Sequence, residues 1–192
     1  AFGSNGSGRV DNVADGGSGD DRIRAWIEQK PNWEQYEMSA LNDIRGGVGD
    51  DLLRARIEVD GSEGRLDLRN RVEGGSGDDT YVVGTRTDSV IELANRGIDL
   101  VKAAVSYILP DGVENLVLTG TARTGIGNGQ SNILTGNDQR NVLEGGAWGD
   151  TLQGGANNDT LVGGTGGDRL TGGSGADTFV FTALDDSTAG PS

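Results

Sequence analysis

The chain has 192 residues, 35 of them glycine against three each of Phe, Trp and Tyr, and a formal charge of −14 at pH 7. Large apolar side chains are too few for a thick jigsaw core, and a compact acidic chain repels itself unless cations neutralise it, so nucleic acid is excluded as a partner. With no Cys and no His, disulfides, thiolate or imidazole metal centres and the Ser-His-Asp and Cys-His nucleophile systems are excluded, and any metal must be held by oxygen.

In chain order, the opening AFGSNGSG lacks the basic-then-apolar pattern of a signal peptide, no apolar run approaches membrane-spanning length, and the chain reads as a piece of a larger protein. A nine-residue block then appears three times, as GGSGDDRIR from Gly16, GGVGDDLLR from Gly46 and GGSGDDTYV from Gly74, at spacings of 30 and 28 residues. RAWIE at 24–28 returns as RARIE at 54–58, so the longer unit is itself repeated. Period-two alternation points Ile23, Ala25 and Ile27 inward, and likewise Leu53, Ala55, Ile57 and Val59. Returning strands carry Met38, Ala40, Asn42 and Ile44, or Leu66, Leu68, Asn70 and Val72. These patterns predict wide coils of 28 to 30 residues, with block turns on one edge and ordinary loops such as VDGSEG on the other. The stretch AWIEQKPNWEQYEM holds Trp26, Trp33 and Tyr36, read first as a cover for the open N-terminal coil and second as a glycan or partner contact.

Residues 83–126 read as a spacer continuous with the solenoid, with Val, Ile and Leu alternating over 88–93, 99–109 and 113–119. Glu114 and Asn115, in VENL, are read there as structural. From Gly127 to Val180 six blocks follow without a gap, GNGQSNILT, GNDQRNVLE, GGAWGDTLQ, GGANNDTLV, GGTGGDRLT and GGSGADTFV. Their eighth position is Leu134, Leu143, Leu152, Leu161, Leu170 and Phe179, one buried apolar residue per block. The expected divisions are an N-terminal roll at 1–82, the spacer at 83–126 and a C-terminal roll at 127–192 that breaks off before its final strands.

Glycines at positions one, two and four permit positive φ and close backbone approach, so six residues form a tight turn with inward carbonyls. Position six adds a carboxylate, and positions seven to nine form a very short strand whose middle residue faces the interior. Two blocks make one 18-residue coil. Stacked at about 4.8 Å, the carboxylates form acidic rows that repel without cations, so the chain is expected to be disordered until it binds metal.

The block matches GGxGxDxUx, itself an example of a calcium-binding β-helix repeat, and the chain resembles the RTX family. The resemblance implies an all-β parallel β-roll solenoid, with wide coils first and 18-residue coils later, that binds about five to nine calcium ions between same-side turns of successive coils. Expected ligands in the N-terminal half are Gly16, Ser18, Asp20 and Asp21; Gly46, Val48, Asp50 and Asp51; and Gly74, Ser76, Asp78 and Asp79. In the C-terminal half they are Gly145, Ala147 and Asp150; Gly154, Ala156, Asn158 and Asp159; Gly163, Thr165, Gly167 and Asp168; and Gly172, Ser174 and Asp177. Asp150 should pair with the turn at Gly163 and Asp159 with that at Gly172. Asn132 and Asn141 replace the position-six Asp, which marks their blocks as weak sites or caps, and Trp148 and Asn157 at a glycine position put two turns in question. The family further implies a noncatalytic module of a protein secreted by a Gram-negative bacterium through type I machinery, working with the rest of its parent polypeptide. A carbohydrate-binding or adhesive module organised by calcium, with an extracellular polysaccharide as partner, is the alternative reading.

Overall fold

The structure, a computed structural model, describes residues 8–29, 38–59, 66–92, 96–181 and 188–189. All regular structure among them is β, in parallel ladders. The chain winds through two strands per coil. The wide coils are β1 (Gly8–Ser18) with β2 (Arg22–Gln29), β3 (Met38–Val48) with β4 (Leu52–Val59), and β5 (Leu66–Ser76) with β6 (Thr80–Val83). Narrower coils follow, as β7 (Asp88–Ile91) with β8 (Leu100–Ala103), β9 (Tyr107–Ile108) with β10 (Asn115–Leu118), and β11 (Thr124–Ile126) with β12 (Ile133–Thr135). The last are β13 (Val142–Ala147) with β14 (Thr151–Ala156), β15 (Thr160–Thr165) with β16 (Arg169–Ser174), and β17 (Thr178–Val180) with β18 (Thr188–Ala189).

Even-numbered strands form one nine-stranded sheet running the length of the solenoid. Odd-numbered strands divide into a four-stranded sheet, β1 to β7, and a five-stranded sheet, β9 to β17. The break falls one coil after the repeat shortens from 28 residues, Asn42 to Asn70, to 18, Asn70 to Asp88, and leaves a groove between β7 and β9 lined by Arg86, Ser89, Tyr107 and Ile108 among others.

The core is a thin file of side chains between the two faces. Leu134, Leu152 and Leu170 stack in register from one sheet and Leu143, Leu161 and Phe179 from the other, and the five leucines are fully buried. Each such burial contributes about 1.5–3 kcal/mol, so one inward apolar side chain per block carries most of what apolar packing supplies. In the wide coils the interior also holds polar rungs. Asn12 donates to Asn42 at 3.1 Å, Asn42 to Asn70 at 2.7 Å, and Asn70 to Asp88 at 2.5 Å. Stacked amides satisfy one another along the ladder direction, which is why Asn is tolerated at inward positions.

Three expectations need revision. C-terminal strands run six residues, as in Thr151–Ala156, because the ladder continues through block positions one to three. The predicted strand at 99–109 is two strands on opposite faces, β8 and β9, with a corner between them. Positive φ occurs at block positions two and four, as at Gly75 and Gly77, while the first glycine is absent from the positive-φ residues.

Candidate metal sites along the turn edges

Every block turn stands at an edge between two facing strands. One edge carries turns along the whole solenoid, between β1 and β2 at Gly16–Asp21, between β3 and β4 at Gly46–Asp51, and onward to Gly163–Asp168. The opposite edge carries them at Gly154–Asp159 and Gly172–Asp177.

Position-six carboxylates join neighbouring turns. Oδ1 of Asp51 accepts the backbone N–H of Asp21 at 2.8 Å, Asp79 accepts that of Asp51 at 2.8 Å, and Asp168 that of Asp150 at 2.8 Å. On the other edge Asp159 accepts the N–H of Asn141 and Asp177 that of Asp159, at 2.8 and 2.9 Å. The separations shrink from 30 residues to 28 and then 18, yet the contact is the same. It depends on ladder register, not on coil length.

This leaves the second oxygen. Oδ2 of Asp21, Asp51, Asp79, Asp99, Asp150 and Asp159 is buried and has no protein hydrogen-bond partner. A Cβ added to Gly145 would strike Asp150 Oδ2 and stand 2.5 Å from the carbonyl oxygen of Gly163; at Gly154 it would strike Asp159 Oδ2 and stand 2.5 Å from the carbonyl of Gly172. The structure thus brings Asp150 together with the carbonyl of Gly163 and Asp159 together with that of Gly172. Position one must be glycine because the carboxylate and the next coil's carbonyl converge on it.

A buried carboxylate oxygen without a donor costs several kcal/mol if it stays charged and uncompensated. Burial accordingly raises Asp79 and Asp150 to about 6 and Asp99 to about 7, with the accepted N–H offsetting only part and neighbouring carboxylates adding to the rise. Asp51 and Asp159 shift upward for the same first reason. A proton or a cation must neutralise these oxygens. Carboxylate and carbonyl oxygens in an irregular cradle suit calcium, which accepts six to eight oxygens in flexible geometry, better than magnesium with its strict octahedron.

The RTX calcium-binding nonapeptide repeat family matches this chain in four copies, at residues 8–26, 69–89, 126–147 and 149–180. The chain carries RTX calcium-binding repeats. RTX nonapeptides bind calcium, which agrees with the donor set of the turns. Two endo-1,3-1,4-beta-glycanases of Rhizobium meliloti (strain 1021) resemble the chain: EglC is 37% identical over 92 residues, 48% of this chain and 18% of the glycanase, and ExsH is 39% identical over 61 residues, 32% and 13% respectively. The chain thus spans less than a fifth of the length of these relatives. No solved structure matches it.

The remaining RTX positions fall into distinct places. Position-three residues Ala147 and Thr165, and Ala156 and Ser174, are ladder partners. In the wide coils the carbonyls of Val48 and Ser76 accept the N–H of Gly19 and Gly49, at 2.7 and 2.8 Å. Position-five Asp20 and Asp50 are exposed, and each caps the N–H one coil ahead, that of Asp50 at 3.1 Å and of Asp78 at 2.8 Å. Asn158 does the same for Ala176 at 2.9 Å. The carboxylates of one Asp-Asp pair therefore reach in opposite directions along the solenoid. Gly16, Ser18, Gly74, Asp78, Gly167 and Gly172 lie in the same turns.

The two exceptional turns hold their shape. Trp148 and Asn157 adopt φ of 76° and 72°, in the positive-φ region that Gly19, Gly49, Gly77, Gly166 and Gly175 occupy at the same block position. In the two Asn turns a different device operates. Asn128 Nδ2 donates to the carbonyls of Pro110 and Val113 at 2.7 and 2.8 Å, and Asn132 Nδ2 to Val113 at 3.2 Å. Asn137 and Asn141 both donate to Ala122, at 2.9 and 3.1 Å. Amide protons face the preceding coil's carbonyls, so these turns place positive partial charge on the carbonyls without a metal ion.

Two carboxylates on the row were not expected. Asp99 accepts the N–H of Asp79, and Glu114 that of Asp99, each at 2.8 Å, so both stand at position six. The signal was slight. Asp99 is followed two residues later by fully buried Val101 and Glu114 by fully buried Leu116, the block's spacing from position six to position eight. Of the aromatic trio, Trp26 stands on the outer face of β2, while Trp33 and Tyr36 lie outside the described residues.

Proposed function

We propose that the chain is a noncatalytic calcium-triggered folding module of a longer secreted protein. The observation that carries this reading is the set of buried Oδ2 atoms without a protein partner, four of which, those of Asp21, Asp51, Asp150 and Asp159, converge with a backbone carbonyl of the next coil's turn on the first glycine of their block. In the unfolded chain these ligands are dispersed, so binding and folding are one equilibrium. Extracellular modules bind calcium at roughly 10⁻⁴ to 10⁻³ M, so the chain stays extended in a low-calcium cytosol and folds after export. Export through type I machinery of a Gram-negative cell follows from the RTX character. Likeness to two glycanases supports a parent that acts on polysaccharide, with this segment stabilising it. Far-UV circular dichroism through a calcium titration, with magnesium as control, tests the proposal. A coil spectrum becoming β-rich with calcium alone is expected; a fully folded spectrum after exhaustive chelation would defeat the switch.

A second reading has one observation in its favour. Trp26 is 60% exposed on the outer face of β2, in register with Arg56, and Arg24 is in register with Arg54. An exposed indole beside guanidinium groups suits stacking on an acidic sugar chain. Binding of the calcium-loaded chain to an acidic polysaccharide, reduced by Trp26→Ala, is the expected result under that reading; no retention on any acidic glycan removes it.

A further inference from the structure

The third block turn, Gly74–Asp79, has no complete nonapeptide opposite it in the next coil. It is nevertheless matched there. The N–H of Gly77 donates to the carbonyl of Arg96 at 2.9 Å, as Gly49 does to Ser76, which puts Arg96 at block position three. Ile98 N–H donates to Asp78 Oδ1 at 2.7 Å, as Asp78 N–H does to Asp50, which puts Ile98 at position five and Asp99 at position six. The ladder between β5 and β7 pairs Val72 with Val90 and Glu73 with Ile91. The next residue in that register brings Glu92 opposite Gly74, where a complete block would place its first glycine. The fourth turn is thus a split block that presents a carboxylate at the point where the others present a carbonyl.

We propose that Asp79, the position-six residue of the third block, forms with Glu92 and Asp99, both outside the nonapeptide consensus, a three-carboxylate calcium site that binds more tightly than the other block turns. Oxygens of the three carboxylates lie within 4.8 Å of one another. Asp79 and Asp99 are each 1% exposed, and the Oδ2 of each is buried without a protein partner, so two unneutralised oxygens sit inside the cluster. Glu92 is held rather than draped: its Oε1 accepts the Tyr81 hydroxyl and the N–H of Gly75, the latter at 3.0 Å. A Cβ at Gly74 would run into Tyr81 Oη, Asp79 Oδ2 and Glu92 Oε1 together, so these groups converge on one point. Three acidic ligands on a rigid frame raise affinity over turns that supply one carboxylate with neutral carbonyls, because calcium affinity follows ligand charge and site rigidity. Glu92 and Asp99 both lie outside the family-matched segments.

The inference rests on the calcium reading, and the test separates the two. Isothermal titration of the full chain with calcium, with bound ions counted by native mass spectrometry, is run on the unmodified protein and on Glu92→Gln. The substitution keeps the shape and the oxygen acceptor for Tyr81 and Gly75 while removing the charge. The expected result is loss of the first-filling ion, or its affinity reduced about tenfold or more, with the later ions retained. An identical titration for Glu92→Gln overturns this site and leaves the calcium module intact, whereas no calcium binding by either protein overturns the module itself. Should Glu92→Gln fail to fold, crystals of the unmodified chain grown in calcium decide: an ion among Asp79, Glu92 and Asp99 upholds the site, and filled block turns beside an ion-free cluster overturn it.

Discussion

Asp150 Oδ1 accepts a 2.7 Å hydrogen bond from the N–H of Asn132, the residue at the same block position one coil earlier. One oxygen of the carboxylate is thereby a strut between coils, and the other is left facing the cradle at Gly145. A single side chain links stacking to ion binding. Removing the neutralising charge weakens the stacking of the coil that carries it, which couples neighbouring turns without any further contact.

The amide clamp of the Asn turns can be checked by Asn132→Asp. The carboxylate still accepts the N–H of Asn128, but the donors to Val113 and Glu114 are gone. Loss of about 1–3 kcal/mol is expected in the absence of calcium, with calcium restoring part of it. Denaturant melts with and without calcium measure both, and an equal loss in the two conditions would argue against the amide as a stand-in for a cation.

Acidity should act on the metal-free chain with a definite sign. Asp79 and Asp150, near 6, and Asp99, near 7, lie above the ordinary carboxylate range because burial penalises their charged form. Groups raised on folding favour the folded form below about pH 4, and that contribution is lost as pH rises through 6 to 7. Rigorously chelated protein should therefore hold more β-structure at pH 5 than at pH 8, while the apparent calcium affinity falls below pH 7 as protons compete. Circular dichroism at the two pH values is sufficient, and greater order at pH 8 in the metal-free chain would reverse the argument.

Leu161 is fully buried, with Leu143 its ladder partner on one side and Phe179 on the other. A core one residue thick cannot close over a missing side chain, so Leu161→Ala should cost about 2–5 kcal/mol in the calcium-loaded protein. Thermal unfolding at saturating calcium measures it; a cost under 1 kcal/mol would mean that ions, not the leucine file, hold these coils.

Trp148 combines a φ of 76° with 69% exposure, so its strain is not repaid by burial. Trp148→Gly should stabilise the folded chain by about 1 kcal/mol. Asn157→Gly should be close to neutral, since Asn enters the left-handed region readily. The two variants differ only if the strain is specific to the indole-bearing residue, and equal melting shifts would refute that.

Much of the site was legible because the block repeats its chemistry at short range. Leu152 and Leu161, the turns at Gly145 and Gly154, and their partners 18 residues on follow from counting. Asp99 and Glu114 do not, since the intervals from Asp79 to Asp99 and from Asp99 to Glu114 are 20 and 15 residues, and neither keeps the period of the blocks around it.

The sequence by itself determined the fold class, the inward apolar residue of each block and the oxygen-only metal chemistry, because all three follow from local residue types repeated in register. The tertiary structure decided what lies between coils. Stacking register brought Glu92 opposite Gly74 and set Asp99 on the carboxylate row; it also made the first glycine a matter of space rather than of φ, and aimed the Asn amides at the carbonyls of Val113 and Ala122. Those relations depend on how many residues each coil uses to return to the same edge. No local pattern encodes that number once the coils cease to be uniform.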